Sequence, residues 1–178
     1  MFDILVTQEQ KEYAKQLTDN VNFGIRKSGG NGSNVQQYTG ILSEIVIKDL
    51  FGVARTTGDG FDGGFDFELF GAKVDVKTMC RNTYMKHDYI HNLFAVQNYD
   101  VDYYLFCSFN KQTDILTICG IISKEEFLKK SKYYAAGTIR ERSNGTELEL
   151  KADNYEIRQS KLKYVSCMEE VIAHAVFL

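Results

Sequence analysis

Three residues whose types could do chemistry stand close together in this chain: Asp66, Asp75 and Lys77. They fall within residues 64–78, which read as two short strands joined by a tight turn at Phe70, Gly71 and Ala72. Apolar and polar residues alternate in both arms, the period of a half-buried strand. Phe65, Phe67 and Leu69 share one face, and Asp66 and Glu68 the other. In the second arm Val74 and Val76 share one face, and Lys73, Asp75 and Lys77 the other. Turning both apolar faces to one core brings Asp66, Asp75 and Lys77 onto a common opposite surface. Two carboxylates and an ammonium so placed can hold a divalent cation and polarise a phosphate.

The elements around that hairpin must position it. A helix is predicted from Asn34, with Gln37 as its reciprocal capping partner, to about Phe51, ending near Gly52. Ile41, Leu42, Ile45, Val46 and Leu50 form its apolar stripe, and Glu44 sits inside that stripe. A carboxylate among core positions is costly without a partner. Glu44 is therefore either a rim residue that reaches solvent or a carboxylate aimed at the sheet edge, where Gly40 allows a close approach. Two unit charges about 4 Å apart repel by roughly 4 kcal/mol at an effective dielectric of about 20. Converging Glu44, Asp66 and Asp75 does not serve stability. A bound cation reverses the sign, and an all-oxygen ligand set suits magnesium or manganese. Lys77, two residues beyond Asp75, points to the same side and can hold or deprotonate a water aimed at phosphorus.

This set, a helical Glu44, then Asp66, then Asp75-Val76-Lys77, resembles the PD-(D/E)XK, or restriction-endonuclease-like, nuclease superfamily. The resemblance covers roughly residues 34–109 and follows that family's order of helix, strand-turn-strand, helix and strand. It implies an α/β fold: a central mixed β-sheet flanked by helices, with an αβββαβ core and residues 110–178 as a C-terminal elaboration. It also implies a Mg²⁺-dependent endonuclease that hydrolyses DNA phosphodiester bonds, with Mn²⁺ able to substitute. Asp66 and Asp75 would bind the metal, Glu44 would complete or support its shell, and Lys77 would position the attacking water. Gln97 falls where some members place an accessory glutamine. The chain departs from the motif's name at Phe65, which stands where the proline would be; it has no proline at all. Two other classes fit the same residues: a non-catalytic nucleic-acid-binding or assembly protein on this fold, and an ordinary surface hairpin. An enzyme of other chemistry, such as a thiol hydrolase, is a further alternative.

The length of 178 residues predicts a single domain over residues 1–178. A net charge of -3 leaves no global basic footprint, so DNA must be met by a local patch or through bound metal. Arg26 and Lys27, beside the glycine-rich residues 28–33, suit a phosphate backbone, as do Lys73, Arg81 and Lys86 near the hairpin. Lys129, Lys130, Lys132, Arg140 and Arg142 make a second basic segment, either a DNA flank or a solvated helix end. A slightly acidic chain of this size suits a homodimer or a partner subunit. No apolar run approaches a membrane span, and the first residues lack a signal-peptide pattern, which predicts a cytoplasmic protein without membrane contact. Cys80, Cys107, Cys119 and Cys167 form no C-x-x-C pair and read as buried thiols. His87 and His91 stand four apart without a third ligand, a weak zinc signal.

The remaining elements follow in order. Thr7 and Gln10 are a capping-box pattern opening a helix to about Leu17. Residues 53–57 read as a short strand and 58–64 as a glycine-rich loop. A helix is expected around residues 90–98, with strands over 102–109 and 115–122, the second covered on both faces. Ser123 and Glu126 cap a helix through about Lys130. Residues 155–158 suggest a short edge strand, and Ser166 with Glu169 caps a final helix.

Overall fold

The computed structural model describes residues 1–20, 34–55, 57, 64–141 and 145–176. The chain opens with a strand, β1 (Phe2–Leu5), and enters helix α1 (Gln8–Asn20). The predicted capping box is present. Thr7 Oγ1 accepts from the Gln10 amide at 3.1 Å, and Gln10 Oε1 accepts from the Thr7 amide at 2.9 Å. Helix α2 (Asn34–Phe51) follows and stops at Gly52, whose φ of +65° leaves the helical region. The Val53 amide donates to the Lys48 carbonyl and the Gly52 amide to that of Asp49, the bond pair of a Schellman cap. The expected strand over 53–57 is absent from the described part of that stretch. Arg55 instead ties α2 to α1, donating to Asp49 at 2.6 Å and pairing with Glu9.

The hairpin is β2 (Phe67–Leu69) and β3 (Ala72–Arg81), joined through Phe70 and Gly71. Both turn residues have positive φ, 50° and 88°, the two-residue geometry whose twist matches the strands. Phe67 faces Val74, so Phe67, Leu69, Val74 and Val76 enter one core. Phe65 does not join them as predicted. It precedes the strand and packs in the cluster on the other side of the sheet.

The next element overturns an expectation. Residues 90–98 are not a helix but strand β4 (Ile90–Phe94), closed by a 3-10 turn over Ala95–Gln97. His91 and Leu93 are buried while Ile90, Asn92 and Phe94 are half-buried, which is alternation of period two. The chain continues as β5 (Tyr103–Asn110), β6 (Ile115–Ser123), α3 (Lys124–Lys130), β7 (Lys132–Tyr134), β8 (Ile139–Glu141), β9 (Glu147–Glu149) and β10 (Asn154–Arg158). A 3-10 turn, Gln159–Lys161, then leads to α4 (Met168–Val176). Ser123 caps α3 as predicted, its hydroxyl accepting from the Glu126 amide at 3.3 Å. Glu170, not Glu169, reaches back to Ser166 before α4.

The fold is mixed α/β. A five-stranded sheet runs in the order β1-β6-β5-β3-β2, with β3 and β5 parallel and every other pairing antiparallel. Helices α2 and α4 cover one face: Ile41, Leu42, Ile45 and Val46 with Val171 and Ala175 meet Val74, Val76, Leu105 and Cys107. On the other face Tyr104, Phe106 and Ile122 meet Phe127 of α3, Leu93 of β4 and Ile157 of β10. There β10 lies between β4 and β7 in a second, three-stranded sheet, so it is a central strand and not the edge that residues 155–158 suggested. Strand β6 pairs on both sides and is buried on both faces, as its apolar run implies. Parallel strands need a crossover; here β4 and its 3-10 turn supply it between β3 and β5 in place of a helix. Among the described residues no helix is long and apolar enough to cross a membrane.

Candidate metal and phosphate site

Asp75 and Lys77 project from the same face of β3 because strand side chains alternate. Register places Asp75 beside Tyr104 and Lys77 beside Phe106 on β5. Lys77 Nζ lies 2.9 Å from Asp75 Oδ1, and the Asp75 side chain is only 4% exposed. The second Asp75 oxygen, Oδ2, is buried with no hydrogen-bond donor.

Asp66 reaches this pair from the edge of β3. Strand β2 pairs only as far as Phe67 and Val74, and the Asp66 amide donates to the Val74 carbonyl at 2.9 Å. One residue further along β3, Asp66 Oδ2 accepts from the Val76 amide at 2.6 Å. The carboxylate thereby takes the ladder position that a longer β2 would have filled, and its charge stands beside Asp75. Burial pushes the Asp75 carboxyl well above its ordinary range; Lys77 opposes that and Asp66 adds to it, being close enough to share a hydrogen bond with Asp75 when one of them is protonated. Burial alone would lower Lys77, but Asp75, Asp66 and, more weakly, Glu44 outweigh it and hold the ammonium charged. Glu44, half-buried on α2, lies close enough for its charge to act on Lys77.

Four of the sequence-predicted residues, Glu44, Asp66, Asp75 and Lys77, therefore share one electrostatic neighbourhood. Gln97 lies in the 3-10 turn after β4, where the neighbouring Ala95 amide donates to the Asp153 carbonyl beside β10. Of the expected DNA contacts, Lys73 is paired with Asp100 at 2.9 Å. The Arg81 guanidinium donates to the Ile90 carbonyl and stacks 4.6 Å from the Tyr89 ring centre. Lys86 lies 6.0 Å from the same ring. Arg26 and Lys27 lie outside the described residues, as do the glycine-rich 28–33 and 58–63. In the second basic segment Lys129, Lys130 and Arg140 are paired with Glu125, Glu126 and Glu156. His87 and His91 do not share a face: His87 is exposed, and His91 is buried against Gln159.

Tyr104 was not legible as a site residue. It lies across the register from Asp75, is fully buried, and its hydroxyl donates to Asn98 Oδ1 at 3.1 Å. Burial, then the Asp75 charge, raises its pKa. Alternation along β5 could have placed its ring on the Asp75 face, but only cross-strand register brings the two together.

The donor set can be tested against a metal. Among the described residues no group of three or more His, Cys, Asp or Glu side chains forms a ready-made metal cluster. Magnesium does not require one. It keeps several waters and is held by one or two carboxylates together with substrate phosphate oxygens. Asp66 and Asp75 supply two carboxylates, one with an orphaned buried oxygen, and a carboxylate pair of this kind fits a hard divalent cation. Comparison with family models, with curated proteins and with solved structures finds no match to this chain.

Proposed function

We propose that the protein is a metal-dependent nuclease that hydrolyses DNA phosphodiester bonds, built on a PD-(D/E)XK-like core. The observation that carries the reading is the buried Asp75–Lys77 pair with Asp66 bound across the adjacent strand edge. The order of α2, β2, β3 and a parallel β5 supports it as well. The crossover through β4 instead of a helix is where this chain departs from the family pattern.

Bound Mg²⁺ would supply Lewis-acid stabilisation of charge on the phosphate. Asp66 and Asp75 would hold it. Lys77, kept protonated by its carboxylate neighbours, would donate a hydrogen bond that orients a water or a phosphate oxygen. Glu44 would add negative charge that helps keep that ammonium protonated. The Tyr104 ring would shield the underside of Asp75 from solvent.

The test is cleavage of supercoiled and linear DNA with Mg²⁺, Mn²⁺ or EDTA, beside Asp75→Ala and Lys77→Ala. Expected are metal-dependent cleavage by the parent and a loss of at least about a hundredfold in each variant. Cleavage that survives both substitutions would sink the assignment.

A further inference from the structure

The Asp66–Asp75 pair works only if Asp66 enters at the right place, because functional groups must be held to within about 0.5 Å. The neighbours of Asp66 show what holds it. Gly64, two residues earlier, has φ of +91°, and a Cβ there would lie 2.9 Å from both Cβ and Cγ of Tyr99. The backbone leading into Asp66 thus bears directly on the Tyr99 side chain. The Tyr99 carbonyl in turn accepts a hydrogen bond from Lys124 Nζ at the start of α3.

The same loop is bound to β3. Lys73 donates its amide to Asp102 Oδ2 at 2.8 Å, and its carbonyl accepts from the Asp102 amide at 2.9 Å. The Lys73 ammonium pairs with Asp100 and lies 5.7 Å from the Phe65 ring centre. The Lys124 amide donates to the Asp102 carbonyl at 2.9 Å. The chain just before Asp66 and the start of β3 are thereby both referred to one segment, residues 99–102, and that segment is referred to α3. Lys124 is the first residue of α3, where a positive charge opposes the helix dipole. That charge does not serve the helix; what the side chain contributes is the bond to the Tyr99 carbonyl.

We infer that Tyr99 and Lys124 are positioning residues for the Asp66–Asp75 carboxylate pair, Tyr99 by abutting Gly64 and Lys124 by holding Tyr99. The inference rests on the metal-site reading above. The test titrates Mn²⁺ into the full chain and follows the electron paramagnetic resonance signal of free Mn²⁺. Parent, Asp75→Ala, Tyr99→Ala, Lys124→Met and Lys124→Arg are compared, and melting of each is recorded in EDTA. Lys124→Met and Tyr99→Ala should weaken Mn²⁺ binding about tenfold, the usual effect of removing support behind a metal ligand. Lys124→Arg, which can still donate to the carbonyl, should restore it. Should Tyr99→Ala not fold, Lys124→Met and its arginine counterpart decide. Parent-like Mn²⁺ affinity in Lys124→Met, with loss in Asp75→Ala, overturns this inference and leaves the metal site standing. A parent that takes up no Mn²⁺ overturns both.

Discussion

Lys77 Nζ stands 2.9 Å from Asp75 Oδ1, two residues away on one face of β3, while Asp75 Oδ2 is buried without a donor. One lysine is thus set against two carboxylates, and burial tips the balance toward a protonated Asp75. The folded chain holds that proton more tightly than the unfolded chain does. The resulting stability is complete below the unfolded carboxyl value of about 4 and is lost as pH rises through the folded value of about 8.

Asp75→Asn removes this loss. In EDTA the variant should melt at the parent's temperature or below near pH 5, and above it at pH 8. A gain of about 1 kcal/mol at pH 8 corresponds to roughly 3 °C for a chain of this size. Thermal scans across that range check it. Parallel pH dependence in the two proteins would contradict the account of Asp75. On the proposed metal reading the same substitution should also remove any rise in melting temperature that Mn²⁺ gives the parent, because the carboxylate charge is lost.

His91 gives a second pH signature of opposite sense. Its ring is fully buried, Nε2 lies 2.7 Å from Gln159 Oε1, and the Gln159 amide nitrogen donates to the Cys119 carbonyl at 2.7 Å. That fixed amide makes Nε2 the protonated nitrogen and leaves Nδ1 buried without a partner. Burial lowers the histidine to about 4, so the folded state favours the neutral ring. Stability is present above the unfolded value of about 6.5 and is lost as pH falls from there toward 4, by about 3 kcal/mol in all. Urea denaturation at pH 7, 5.5 and 4.5 should show this decline in the parent and a flatter one in His91→Leu. An unchanged slope in the variant would count against it.

These groups also mark what the sequence made legible. The boxes at Thr7 and Ser123, the stop at Gly52 and the Phe70-Gly71 turn are local signals, each decided within a few residues, and they appear as read. Asp75 and Lys77 follow from alternation alone. What was lost depends on partners distant in the chain. Residues 90–98 read as a helix, yet pairing with Asn154–Arg158 makes residues 90–94 a strand. Tyr104 becomes a neighbour of Asp75 only through the β3–β5 register. The strand β1 gains its identity from β6, and Phe65 changes face because the chain bends at Asp66 before β2 begins.

Gly120 tests one of those distant contacts. Strand β6 carries a register irregularity opposite Phe106 and Cys107, and Gly120 sits there facing the chain that leads to α4. A Cβ at this position would lie 2.5 Å from the Lys163 carbonyl oxygen and 2.9 Å from Leu162 Cβ. Backbone on one side and core on the other cannot both yield, so Gly120→Ala should cost about 3 kcal/mol. Gly137, with φ of +81° and open space around it, is the control; alanine there should cost only about 1 kcal/mol of backbone strain. Urea midpoints compare the two, and equal losses would show that the close approach to Lys163 does not matter.

The charge pairing on the surface sets the last prediction, which concerns how DNA would be met. A phosphate reaching Lys129, Lys130 or Arg140 would have to displace Glu125, Glu126 or Glu156. Exchanging one anion for another gains little, so this segment should not take part. Lys86 is exposed in the loop after β3, and its ammonium lies 6.0 Å from the Tyr89 ring centre. Each phosphate contact contributes about 0.9 to the slope of log affinity against log salt. Fluorescence anisotropy with labelled duplex DNA over a salt series should therefore give Lys129→Ala/Lys130→Ala the parent slope, and Lys86→Ala a slope shallower by about 1. A shallower slope in the double variant would instead place the DNA path across α3.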